Sequence, residues 1–291
     1  MVRRILAAIA LLAVLAPMAW AQTADELVTK NIAAKGGLEK LKAINSSRAT
    51  GRMVAGPGME FPFTMVNKRP NSTRIEFNVQ GMTGIQAYDG KTAWMSMPFM
   101  GKKDPEVGSE EDNKNALDDS DFDGALVDYK TKGHTIELVG KEPVEGADAY
   151  KLKVTKKNGN IEYDYLDAET YLLVKTAAKR KFRGTEMEGE TTLSDYKDVD
   201  GLMQPFSMES GAKEMPQKQK FMFSKIEMNV PLEESRFAVP AGATGAAAPA
   251  AAATDSSKSA PKEGDAKAAA ATDTTKKDAK ATKSSGKKKG K

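Results

Sequence analysis

The stretch 59-MEFPFTMVNKRPNSTRIEFNV-79 decides the fold. Met59, Phe61, Phe63 and Met65 fall at every second position, and so do Thr73, Ile75, Phe77 and Val79, with Arg74, Glu76 and Asn78 between them. A strand turns successive side chains to opposite faces, so each run carries one apolar and one polar face. Between the runs, Arg69-Pro70-Asn71 reads as a turn.

The same pattern extends in both directions. Alternation predicts strands over 46–54, 59–67, 73–80, 83–88 and 92–97, with Gly56-Pro57-Gly58, Gly81 and Asp89-Gly90 as turns. A second meander is expected over 134–140, 149–156, 160–166 and 171–177, around an Asn158-Gly159 hairpin. Further strands are expected at 183–196, 202–209 and 220–228, with a last short edge at Phe237 and Val239. Residues 23–44 read as a helix capped by Thr23 with Glu26 and broken at Gly36-Gly37. From Gly101 to Gly124 the chain is acidic and polar, a long excursion with one short helix. An antiparallel sheet of about ten strands with one greasy face and so few helices must curl round that face. The expected fold is mainly β: a curved, incomplete antiparallel barrel enclosing an apolar groove.

The ends read differently from the middle. Arg3 and Arg4 precede an apolar run, Ile5 to Ala16, then Pro17, and Ala19 and Ala21 form a small-x-small site. This is the pattern of a secretory leader cleaved after Ala21, which makes 1–21 a signal peptide and 22–240 the folded domain. The chain has no cysteine. That excludes disulfides and thiol catalysis, and an exported cysteine-free domain suits the bacterial periplasm. Residues 241–291 are low in complexity and lack aromatic and large aliphatic side chains, so they are expected to stay disordered. They carry 11 lysines against five acidic residues, whereas 22–240 carries a net −4. The lysine tail could touch an anionic surface; the domain itself has no nucleic-acid character.

No catalytic signature is present: no Gly-x-Ser-x-Gly, Walker loop, His-Glu-x-x-His or dinucleotide fingerprint. His134, the sole histidine, opens a strand as a surface residue would. The acidic pairs Asp118-Asp119 and Asp198/Asp200 lie in polar segments without the desolvating surroundings that general acid–base work needs. No enzyme activity, cofactor or metal is expected. Methionine is the unusual feature, with 13 of 15 after residue 21. Its flexible thioether suits ordinary core packing or a lining that adapts to acyl chains, while the Met95, Met97 and Met100 cluster leaves a Cu(I) site as an alternative. Met65, Phe77, Val79, Ile85, Trp94, Met95 and Met203 are the candidate lining.

Several residues carry a likeness to a known family. Ile85 to Tyr88 with Asp89-Gly90, Trp94 in the next strand, Tyr163 to Asp167, Thr170 to Lys175, Asp195-Tyr196, Gly201, Pro205-Phe206, Ile226 to Asn229, Phe237 and Pro240 resemble the periplasmic lipoprotein-carrier superfamily over about 23–240. The resemblance implies a half-open barrel with helices packed into its open side and an apolar cavity for acyl chains. It implies non-catalytic binding and transport of lipid, or of lipoprotein acyl chains, towards the outer membrane, with inner- and outer-membrane sorting partners. A periplasmic sensor or scaffold gripping an envelope protein in the same groove is the alternative. The family's arginine at the cavity mouth has Arg48, Arg52 and Arg74 as candidates here. The acylated cysteine of the acceptor branch is absent, and the lysine tail departs from the usual carrier.

Overall fold

The computed structural model describes residues 22–56, 58–182, 185–215 and 217–245. Residues 1–21, read above as a signal peptide, and those beyond 245 lie outside the described residues. One sheet of 14 strands dominates. Its strands are β1 (Ser46–Gly56), β2 (Met59–Lys68), β3 (Ser72–Val79), β4 (Met82–Tyr88), β5 (Ala93–Met97), β6 (Lys102–Val107) and β7 (Thr135–Val144). There follow β8 (Ala147–Thr155), β9 (Ile161–Asp167), β10 (Leu173–Phe182), β11 (Thr185–Val199), β12 (Leu202–Ala212), β13 (Gln219–Met228) and β14 (Thr244–Gly245). The order is β14-β6-β5-β4-β3-β2-β1-β13-β12-β11-β10-β9-β8-β7. The two meanders are therefore halves of one sheet, joined where β13 pairs antiparallel with β1, Met53 opposite Phe221. The ends of the sheet do not meet, so the barrel is incomplete.

Three α-helices are described: α1 (Ala24–Ala34), α2 (Leu38–Ala43) and α3 (Glu110–Asp119). Thr23 and Glu26 form the expected capping box on α1. The helix buries Leu27 and Val28 against Leu152, Val154 and Leu166 of β8 and β9. Gly36 sits at φ +116°, and a Cβ there would lie 2.3 Å from the Gly201 carbonyl oxygen, so only glycine lets the α1–α2 link approach the β11–β12 turn. Leu41 and Ile44 at the end of α2 pack on Leu202 and Val127. Thr23→Ala should cost about 1 kcal/mol by orphaning the Glu26 amide, read as a lower urea midpoint with unchanged m-value.

Helix α3 shows how strongly the sheet curls. Its Asn113 side chain accepts from the Ala93 amide of β5 at 2.6 Å, and its Asp119 pairs with Arg180 of β10 at 2.5 Å. Six residues of helix span about 9 Å. Strands β5 and β10 stand eight places apart in the sheet, about 38 Å if it were flat. The sheet must fold round for so short a helix to bridge it. Asp118 adds bonds to Asn158 and Asn160 in the β8–β9 turn.

Some elements differ from the expectation. There are 14 strands rather than about ten, and Lys102–Val107 is a strand within the supposed polar excursion. It pairs with β5 and is flanked on its other side only by two-residue β14, a near-edge setting where Pro105 and charged side chains are tolerated. Phe237 and Val239 form no edge strand. A 3₁₀ turn (Glu234–Arg236) delivers Phe237 as a plug, 1% exposed, against Val66 and Leu232. Past Pro240 the chain continues in pairing, with Thr244 opposite Glu106.

Candidate functional site: a methionine and phenylalanine face

Strand register assigns each side chain to a face. Met53 pairs with Phe61 and Phe221, Gly51 with Phe63, Phe63 with Phe77, and Phe77 with Gly84. Ala49 pairs with Met65, Met65 with Ile75, Ile75 with Gln86 and Gln86 with Met95. Directly opposed residues share a face. Met208, opposite Phe221, joins them. Following parity along β12, Leu202 lies on this same face, and Leu202 is where α2 packs. Parity through β11, β10 and β9 leads likewise to Leu152, on which α1 packs. The methionine and phenylalanine side chains therefore lie on the inner face, the one that also carries the helices.

They form one cluster. Met53, Phe63 and Phe221 are buried, and Phe61, Met65, Phe77, Met208 and Phe223 pack around them. Phe63 meets Phe221 and Phe223 edge-on, with ring centroids 5.3 and 5.4 Å apart. Phe99, in the β5–β6 turn, leans on Phe77 at 5.8 Å. Gly84 leaves room for this pair: a Cβ there would lie 2.6 Å from the Phe77 ring and 2.7 Å from Phe99.

The other half of the inner face is different in character. On β9, Asp164 is 2% exposed and its Oδ1 has no hydrogen-bond partner among the described residues. Burial pushes its carboxyl well above the ordinary range, and neighbouring Glu162 pushes the same way. Glu162 pairs with Lys156 at 2.9 Å, both largely buried. A cavity of about 580 Å³ opens beside Lys156, lined also by Pro70, Asn71, Leu117, Lys132 and His134. The His134 Nδ1 accepts from the Lys157 amide, and burial, then the Lys132 charge, lowers its pKa. So one inner face has a methionine- and phenylalanine-rich half under β1–β3, β12 and β13, and a half under β8–β10 where the helix-covered core of Leu152, Val154 and Leu166 adjoins the buried Asp164, Glu162 and Lys156.

The seven nominated lining residues divide between the two faces. Met65, Phe77, Val79 and Met95 lie on the inner face. Ile85, Trp94 and Met203 lie on the outer face, since Glu76 opposes Ile85, Ala87 opposes Trp94, and Met203 is five residues from Met208. Trp94 is 3% exposed there, beneath the C-terminal segment, donating from Nε1 to the Phe237 carbonyl at 2.8 Å. Arg48, Arg52 and Arg74 also point outward, opposite Val66, Pro62 and Val66. Arg74 bonds Glu76 and the Arg236 carbonyl. Sequence reasoning passed over Met53, Phe61, Phe63, Phe99, Met208, Phe221 and Phe223. Their signal was present, because Phe61 and Phe63 share parity with Met65. Met97 is 6% exposed and Met100 is 67% exposed, at opposite ends of one short turn. Among the described residues no three His, Asp or Glu side chains stand close enough to hold a metal. No described helix is long and apolar enough to cross a membrane.

No family model and no curated protein matches the sequence. Solved structures do. A LolA superfamily protein from Nitrosomonas europaea superposes with a TM-score of 0.50 at 13% identity, covering 75% of this chain and 99% of its own. A DUF1329 family protein from Desulfovibrio piger superposes with a TM-score of 0.51 at 15% identity, covering 73% and 95%. At such identities the likeness is one of fold alone.

Proposed function

We propose that this protein is a non-catalytic periplasmic carrier that binds acyl chains, of a lipoprotein in transit or of a free lipid, on the methionine and phenylalanine half of its inner face. The observation that carries the reading is that cluster. Met53, Phe61, Phe63, Met65, Phe77, Met208, Phe221 and Phe223 converge from β1, β2, β3, β12 and β13 on the concave side of an open sheet. The fold shared with a LolA superfamily protein and the leader-like N-terminus support it. The face is packed on itself, with Phe63 only 3% exposed, so a ligand enters by displacing side chains. Methionine makes that displacement cheap because its unbranched thioether repacks with little strain. Each methylene buried contributes about 0.8 kcal/mol, so a chain of about a dozen carbons is held without any ionic contact.

The reading includes export with cleavage after Ala21, membrane sorting partners as donor and acceptor, and no cofactor. Native mass spectrometry of protein taken from its own periplasm tests it: co-purifying phospholipid or acylated protein is the expected result. Stoichiometric copper, or a domain that ignores acyl probes, would sink it. Placement on the inner face makes a second check available. Trp94 is the only tryptophan after residue 21 and lies on the outer face, so its emission should not move when an acyl probe binds. A ligand-dependent shift of Trp94 would place the chain on the wrong face.

A second reading has its own observation. Among the described residues β7 ends the sheet and pairs only with β8, leaving a ten-residue edge on which an envelope protein could add a strand. Capture of an unacylated partner with no acyl probe bound would favour a sensor or scaffold.

A further inference from the structure

One row of side chains on the inner face is polar and has no part in the apolar cluster. Leu152, on which α1 packs, opposes Asp164 of β9. Asp164 opposes Thr176, Thr176 opposes Thr191, Thr191 opposes Ser210 and Ser210 opposes Gln219. Directly opposed residues share a face, so the row crosses from β9 to β13 on the concave side. The hydroxyls of Thr191 and Ser210 bond to each other at 2.9 Å, as that register requires. In the neighbouring row Glu162 is followed by three small residues, Ala178, Gly189 and Ala212. A Cβ built on Gly189 would meet only the Ala178 carbonyl oxygen, at 3.9 Å, so there is open room above the sheet. Thr176, Ala178, Gly189, Thr191, Ser210 and Ala212 all keep partial exposure and together form a trough.

The row has hydrogen-bonding capacity to spare. Asp164 is 2% exposed, and its Oδ1 is an acceptor with no partner among the described residues. A buried acceptor left unpaired is costly, so a ligand group that donates to it gains what water does not supply. In the Thr191–Ser210 pair one hydroxyl donates, and the accepting hydroxyl keeps its own proton to give. The charges that border the row are already matched, Glu162 with Lys156 at 2.9 Å and Arg180 with Asp119 at 2.5 Å. A carboxylate brought to Asp164 would also meet Glu162, two residues away on the same face. The unfilled capacity is therefore neutral: one acceptor and hydroxyl donors. At its other end the row adjoins the apolar cluster. Ser210 is two residues from Met208 on one face of β12, and Met208 opposes Phe221. Three strand spacings, about 14 Å, separate Asp164 from Ser210.

We propose that the row Asp164–Thr176–Thr191–Ser210 binds the uncharged head of an acyl ligand, a group that both donates and accepts, such as a glyceride hydroxyl or an N-acyl amide. The head donates to Asp164 Oδ1 and accepts from the threonine and serine hydroxyls. Its chain runs off the row at Ser210 onto Met208, Phe221 and the rest of the cluster. Thr176, beside Asp164, is partly exposed, so the head reaches the buried carboxyl along the row from the trough. The small side chains at 178, 189 and 212 leave the width for it. This assignment rests on the acyl-binding reading and adds to it a class of head group.

Lauroyl compounds that share a chain and differ in the head make the test. Monolaurin and lauramide donate and accept, methyl laurate only accepts, and laurate is an anion. Each is titrated against the chain from Gln22 to Lys291 by displacement of a fluorescent acyl probe. Monolaurin or lauramide should bind roughly tenfold more tightly than methyl laurate, with laurate no tighter than the ester. The tighter of the two tells a glyceride hydroxyl from an N-acyl amide. Asp164→Val, and the double variant Thr176→Val/Thr191→Val, should each bring both down to the level of methyl laurate and leave methyl laurate unchanged. Gly189→Leu, which has room for its side chain, should do the same by filling the trough, and it leaves the buried carboxyl in place. Equal affinity for all four heads overturns the proposal. So does a preference that survives Gly189→Leu and the double valine variant. Laurate binding most tightly would mean that Lys35 or Lys156, both close enough to act on Asp164, selects an anion, and it overturns the proposal too. If no lauroyl compound binds, the acyl-binding reading itself fails; equal binding of all four leaves that reading standing and removes only the polar row.

Discussion

Asp123→Ala should lower the stability of the domain by about 3 kcal/mol and its melting temperature by roughly 10 °C. Asp123 accepts two bonds from the Arg69 guanidinium, at 2.6 and 2.7 Å, and a third from Lys42 at 3.1 Å. The Arg69 side chain also donates to the carbonyls of Ile44 and Leu41 at the end of α2. One guanidinium therefore ties together the β2–β3 turn, α2 and the loop after α3. The Asp123 side chain is 7% exposed and that of Arg69 23%, so deletion of the carboxylate leaves a largely buried cation with only neutral partners. The same pair sets a pH dependence. Burial alone would raise the Asp123 carboxyl, but the bonds from Arg69 and then Lys42 outweigh it and bring it down to about 2 from 3.8. Between those values the unfolded chain binds the extra proton, so this contribution is intact above the unfolded value and is lost as pH falls through about 2. It amounts to about 2 kcal/mol at most, reduced by solvent screening. Urea unfolding of the wild type and the variant from pH 5 down to about 2 should show the two curves converging in acid. Parallel curves would mean that Asp123 does not carry the pair.

Phe77→Asp should weaken acyl binding by roughly 100-fold, because it trades about 3 kcal/mol of apolar contact for a carboxylate on the inner face. Phe77 is half-buried, opposite Phe63 and Gly84 and against Phe99, so the variant should still fold. Ile85→Thr, on the outer face of the adjacent strand, should leave affinity unchanged. The measurement is displacement of a fluorescent fatty acid, with circular dichroism to show the sheet intact. If Ile85→Thr weakens binding and Phe77→Asp does not, the ligand lies on the convex side. If neither matters, the sheet face is not the site.

The sequence determined a good deal. Alternation in 59–79 is a local property: a strand rotates each side chain by half a turn, so the partition into two faces within one strand follows from the chain alone. The Thr23–Glu26 cap, the break at Gly36-Gly37 and the Asn158-Gly159 turn were legible for the same reason, being settled by neighbours a few residues away. Strand β6 was hidden because its pattern is that of an edge, where charge and Pro105 are compatible with pairing and no apolar stripe is required.

What only the tertiary structure decided is which face of each strand looks inward. Trp94 and Met95 are adjacent and point to opposite sides; their parity is readable, but its sign is not. The sign comes from partners far away in the chain: Phe237, which plugs the outer face 143 residues after Trp94, and the helices that cover the inner one. A bulge such as that between Thr50 and Gly51 of β1 shifts the register with β13 by one residue, and no local pattern announces it. The curl that brings Ala93 and Arg180 to the two ends of one short helix is likewise a sum over eight strand-to-strand steps. Twist accumulates across pairings between residues distant in sequence, so the concave face exists only once the sheet has curled round its helices.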